Sequence, residues 1–133
     1  MVFLATEKPL LLFCYAMNGN VAIKKDWNFG LYKTVSDILR LMISGVNSRD
    51  EFVIFEVSTN HDGVKMPAQL MHKRSVNIAV KFGNYRKLEL LGGVVCIHTS
   101  FAGQNFEILF PLEAILKFTD IKREIIVDAV VAE

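Results

Sequence analysis

The chain has 133 residues, 52% of them hydrophobic and 22% charged, with a formal net charge of +1. That length supports one domain with a single core that needs no staples, and the composition excludes a disordered chain. Near-neutral charge removes any broad electrostatic pull toward nucleic acid or an anionic membrane, since Lys24-Lys25, Lys73-Arg74 and Arg86-Lys87 are isolated pairs beside turn signals.

The apolar run Met1–Met17 raises the question of a signal peptide or membrane span. Glu7, Lys8 and Pro9 interrupt it, no basic segment precedes it, and Leu10–Met17 is too short to cross a bilayer. It reads as a strand or docking segment. Asn18-Gly19 is a favoured turn pair and predicts a hairpin of residues 10–16 and 21–24. Residues 1–27 are thus an N-terminal extension, and residues 28–133 are one domain.

Asp26 or Asn28 is placed to cap a helix. Leu31, Val35, Ile38, Leu39, Met42 and Val46 then recur on one helical face. Leu41 and Ile43 fall off that stripe, so the helix carries a second apolar face suited to a partner or to the N-terminal segment. Gly45 and Asn47-Ser48 end it. Phe52–Val57 is nearly continuously apolar, which predicts a strand covered on both sides.

Thr59–Gly63 is a turn, and Pro67 opens a short helical turn through His72. In Ser75–Lys81, Val76, Ile78 and Val80 alternate with Asn77, Ala79 and Lys81, the pattern of a half-buried strand. Lys87–Leu91 and Val94–Phe101 are further strands joined through Gly92-Gly93. After a turn at Ala102–Asn105, a strand places Phe106, Ile108 and Phe110 on one face. Pro111 predicts the start of a short helix burying Leu112, Ile115, Leu116 and Phe118. Arg123–Ala132 is β-rich and predicts one more strand. The expected fold is α+β, with a leading helix against a strongly bent antiparallel sheet or half-barrel.

Cys14 and Cys96 lie far apart in apolar or strand-like runs, where free thiols pack as small hydrophobes. This usage points to a reducing, cytoplasmic setting. His61, His72 and His98 show no metal-ligand spacing with one another or with either cysteine. Cys96 and His98 share one strand face, but i,i+2 neighbours lie roughly 6–7 Å apart along a strand. That spacing argues against a nucleophile–base pair. The glycines match no dinucleotide or triphosphate motif, and Glu51 and Glu56 sit at opposite ends of one strand. The residues therefore point to a non-enzyme without cofactor or metal.

In chain order the sequence presents an amphipathic helix, FEV, TNHDGVKMP, VNIAV, LEL, SFAGQ and FPLEAILKF. This succession, over about Asn28–Asp120, resembles the stringent starvation protein B family, adaptors that deliver ssrA-tagged proteins to the ClpXP protease. The resemblance implies an SH3- or Sm-like half-barrel and a cytoplasmic homodimer whose leading helix contributes to the interface, here through Leu31, Val35, Leu41 and Ile43. It also implies a groove for the extended tag peptide. Asn77, Ala79, Cys96 and His98 would floor that groove, Met66 and Leu70 would wall it, and Ala102 and Gly103 would turn at its end. The best-known branch of the family carries an arginine where Cys96 stands, so the resemblance implies that one polar contact to the tag is either lost or replaced. The family's ClpX-docking tail is not seen in REIIVDAVVAE. Two other readings stay open: a small β-barrel module associating with RNA or the ribosome, and a structural subunit using the helix's second apolar face.

Overall fold

The computed structural model of the chain describes residues 27–45, 48–101 and 103–130. The expected hairpin at 10–16 and 21–24, an Asp26 cap and the contributions of Val46 and Ala102 lie outside these residues. The described residues form an α+β architecture, with one long helix, a four-stranded antiparallel sheet and a three-stranded antiparallel sheet around one core. No described helix is long and apolar enough to cross a membrane.

Helix α1 (Phe29–Ile43) buries Leu31, Val35, Ile38, Leu39 and Met42, five of the six residues read as its apolar stripe. Asn28 stands at its N-cap but makes no side-chain capping bond. Its amide reaches instead to the far end of the described chain, donating to the Val130 carbonyl at 3.0 Å and accepting from the Val130 amide at 2.7 Å.

The first sheet runs β2–β1–β6–β7, from strands β1 (Phe52–Ser58), β2 (Ser75–Lys81), β6 (Ile115–Asp120) and β7 (Ile125–Asp128). The second runs β3–β4–β5, from β3 (Lys87–Leu91), β4 (Val94–Phe101) and β5 (Gln104–Pro111). Val53, Phe55 and Val57 of β1 and Val76, Ile78 and Val80 of β2 face the core, as do Val95, Ile97, Ile108 and Phe110 of the second sheet. The alternation read in β2 and β5 is thus the alternation of burial. Gly92 and Gly93 both take positive φ in the β3–β4 turn, the conformation that suits a two-residue hairpin loop.

Two expectations need correction. The run after Pro111 is not a helix: Leu112–Ala114 form one 3-10 turn, and Ile115–Asp120 are strand β6 beside β1. The apolar spacing of Leu112, Ile115, Leu116 and Phe118 fits a helical stripe, but Ile115, Phe118 and Asp120 are buried as a strand edge-to-edge with β1. Tertiary pairing overrides the local pattern. Strand β1, expected to be covered on both faces, is fully buried only at Val53, Phe55 and Val57, while Phe52, Ile54 and Glu56 are half-buried. The Lys81 ammonium lies over the Phe52 ring at 5.5 Å, so part of that second cover is a cation–π contact.

Between β1 and β2, the loop holds the short helix α2 (Ala68–Met71), opened by Pro67 as expected. Ahead of it, Lys65 and Leu109 exchange both backbone hydrogen bonds at 2.8 Å, which docks the loop on the outer edge of β5. Gly63, at φ +88°, lets the chain turn against the Pro111 ring, to which a Cβ would stand at 3.6 Å.

Candidate functional site

Register across the second sheet brings chemistry together on the face turned away from the core. Opposite one another lie Glu89 and Cys96, Cys96 and Leu109, Lys87 and His98, and His98 and Glu107. Paired residues on neighbouring strands share a face, so Glu89, Cys96, His98 and Glu107 form one cluster with Lys87 at its rim. The Cys96 Sγ stands 3.4 Å from His98 Nε2, and donates toward Glu107 Oε2 at 3.7 Å. The same Nε2 lies 3.5 Å from Glu89 Oε1 and 3.6 Å from Glu107 Oε2. Lys87 Nζ lies 3.4 Å from Glu89 Oε2, on an exposed side chain.

The 6–7 Å separation expected between Cys96 and His98 is therefore corrected. That figure measures backbone rise, whereas their side chains lean together to 3.4 Å. Proximity does not make the thiol a nucleophile. Burial, then the negative charges of Glu107 and Glu89, push the Cys96 thiol above its ordinary pKa. A reactive thiol needs the opposite, an electropositive surrounding that lowers it.

A second feature is the outer edge of β2, whose only strand neighbour among the described residues is β1. The Asn84 side chain reaches that edge, donating from Nδ2 to the Ala79 carbonyl at 3.0 Å and accepting the Lys81 amide at 3.0 Å. The backbone polar groups of Ala79 and Lys81 thus point away from β1. By the two-residue period of an antiparallel ladder, those of Asn77 point the same way.

The residues read from the sequence as one groove fall into separate places. Asn77 and Ala79 are exposed on the first sheet, opposite its buried Val76, Ile78 and Val80. Cys96, only 4% exposed, and half-buried His98 lie on the outer face of the second sheet. Met66 is buried in the core, Leu70 packs partly against it, and Gly103 sits in the exposed β4–β5 turn. Of the residues assigned to a dimer interface, Leu31 and Val35 are buried within the chain's own core, while Leu41 and Ile43 are 46% and 45% exposed. Glu89 and Glu107 carry no signal in the linear sequence, because only strand register connects them to Cys96 and His98.

No protein-family model and no curated protein matches this chain.

Proposed function

We propose that this chain is a non-enzymatic peptide-binding adaptor of the stringent starvation protein B kind, taking an extended ssrA tag and assisting its delivery to ClpXP. The observation that carries the reading is the β2 edge. Outward backbone groups at Asn77 and Ala79 lie beside short, exposed side chains, and among the described residues only the Asn84 side chain reaches in, at Ala79 and Lys81. An extended peptide adds to such an edge by main-chain hydrogen bonds, and small side chains let its backbone come close. The order of sequence motifs supports the family, and a helix leading into two antiparallel sheets is compatible with its half-barrel.

In this reading the chain is a cytoplasmic homodimer, and the dimer uses the outer side of α1 at Leu41 and Ile43. Leu31 and Val35 serve the protomer's own core. Tethering to ClpX would raise the local concentration of tagged substrate at the unfoldase.

Fluorescence anisotropy with a labelled ssrA peptide tests the proposal. Saturable binding is expected, and Ala79→Trp should weaken it by about tenfold or more by blocking the approach of the peptide backbone. Absence of binding at high protein concentration would sink the adaptor reading, and binding unchanged in Ala79→Trp would move the groove elsewhere. Tight binding of oligo-RNA with a steep salt dependence would favour the RNA-module reading instead.

A further inference from the structure

The cluster on the outer face of the second sheet combines a thiol, an imidazole and two carboxylates from three adjacent strands. The ligand atoms of Glu89, Cys96 and His98 all lie within 4.8 Å of one another. Glu107 approaches the same two groups from the opposite strand, at 3.6 Å from His98 Nε2 and 3.7 Å from Cys96 Sγ.

These separations can be set against a tetrahedral zinc centre. Bonds of about 2.3 Å to sulfur and about 2.0–2.2 Å to nitrogen or oxygen give ligand–ligand edges of roughly 3.6 Å for S···N, 3.5 Å for S···O and 3.4 Å for N···O. The Cys96–His98 edge is 3.4 Å, the two His98–carboxylate edges are 3.5 and 3.6 Å, and the Cys96–Glu107 edge is 3.7 Å. Four of the six edges thus agree to within a few tenths of an ångström, while the Glu89–Cys96 edge lies within 4.8 Å and Glu107 stands outside the group that Glu89, Cys96 and His98 form. The remaining adjustment falls to the glutamate side chains, which are 28% exposed at Glu89 and 43% at Glu107 and can rotate.

We propose that Glu89, Cys96, His98 and Glu107 bind a zinc-class divalent metal ion. Cys96 Sγ, His98 Nε2 and Glu89 are the primary ligands, and Glu107 is the fourth. Thiolate and imidazole together select a borderline-soft ion over magnesium or calcium, which take oxygen ligands. On binding, the Cys96 thiol proton leaves to solvent and the sulfur lone pair forms the metal bond, while His98 ligates as neutral imidazole. A dication also reverses the local electrostatics, since the two carboxylates that disfavour a bare thiolate then attract the metal beside it. The Lys87 ammonium, exposed at the rim of Glu89, competes only weakly across solvent.

Strand register alone assembles the site, and it uses none of the groups of the β2 edge, so it does not depend on the peptide-binding reading. It pins β3 and β5 to β4 across the outer face of one sheet.

The test uses the full chain freed of metal by chelation, then titrated with Co²⁺ and with Zn²⁺. One equivalent of Co²⁺ should give a thiolate-to-cobalt charge-transfer band together with visible absorption of tetrahedral strength. Zn²⁺ should displace it. Cys96→Ser should abolish the charge-transfer band, His98→Gln should shift or diminish it, and both should weaken zinc binding by more than the ten- to hundredfold typical of losing an outer-sphere partner. Cys14→Ser should leave both unchanged. Zinc should also slow alkylation of Cys96 in the unaltered chain, read by peptide mass mapping, which needs no variant to fold. Absence of a charge-transfer band, zinc affinity unchanged in Cys96→Ser, or alkylation of Cys96 indifferent to zinc would each overturn the site.

Discussion

Arg123 is the side chain on which most buried charge converges. Its guanidinium donates to both Glu51 oxygens at 2.8 Å and to Asp120 Oδ2 at 2.8 Å. Both carboxylates are buried, with side chains 1% and 0% exposed. Lys122 adds an ion pair to Glu51 at 3.5 Å and to Asp50 at 3.0 Å. The hydrogen bond from Arg123, with help from the charges of Arg123 and Lys122, holds the Glu51 carboxyl below its ordinary pKa despite burial. Removing one partner of such a set leaves uncompensated buried charge, so Arg123→Met should cost about 3–5 kcal/mol in urea unfolding at neutral pH. The pH dependence has a definite sign. A depressed carboxylate pKa stabilises the fold above its unfolded value of 4.5, and that contribution is lost as pH falls through the folded value. In Arg123→Met the neutral acid is the form burial favours, so the stability gap between the two proteins should narrow as pH is lowered to about 4. A gap that stays constant with pH would mean that the network contributes packing rather than charge.

Among the elements, α1 depends on a contact that no local pattern discloses. Asn28 reads from the sequence as a cap, yet both its amide atoms are bonded to the backbone of Val130. It thereby ties the start of the helix to the segment after β7. Asn28→Ala removes one donor and one acceptor at a buried position and should destabilise by about 1–2 kcal/mol. Amide exchange should accelerate at Val130 before the core strands, and equal acceleration throughout would show that the tie is not local. Local reading succeeded where one face decides, as in β2, where Val76, Ile78 and Val80 are buried and Asn77, Ala79 and Lys81 are exposed. It failed at Pro111–Phe118, where the apolar positions satisfy both a helical and a strand period. There the neighbour β1, absent from any local window, makes the choice. The metal-ligand cluster was illegible for the same reason. Cys96 and His98 stand two apart on one strand, but Glu89 and Glu107 join them only through pairing across β3, β4 and β5.

Across the whole molecule, the two sheets are joined through aromatic contact in one shared core. The Phe55 ring lies 5.2 Å from that of Phe110 at 62° and 5.3 Å from that of Phe118 at 49°. Phe55 and Phe118 are register partners within the first sheet, and Phe110 comes from the second. All three are fully buried. Both candidate surfaces rest on this core, since Val76, Ile78 and Val80 back the β2 edge while Val95 and Ile97 back Cys96 and His98. The two surfaces are therefore coupled through stability even though they stand on different sheets. Phe110→Ala should cost about 3–5 kcal/mol, from lost burial and the cavity left between the sheets. Leu91→Ala, at a position 60% exposed, should change stability by less than about 0.5 kcal/mol. The two sheets should also unfold together in Phe110→Ala, seen as one denaturant transition whether the probe is Trp27 fluorescence or far-ultraviolet circular dichroism. Two separated transitions would show that each sheet holds its own core. In that case the peptide edge and the metal cluster would belong to independently stable halves.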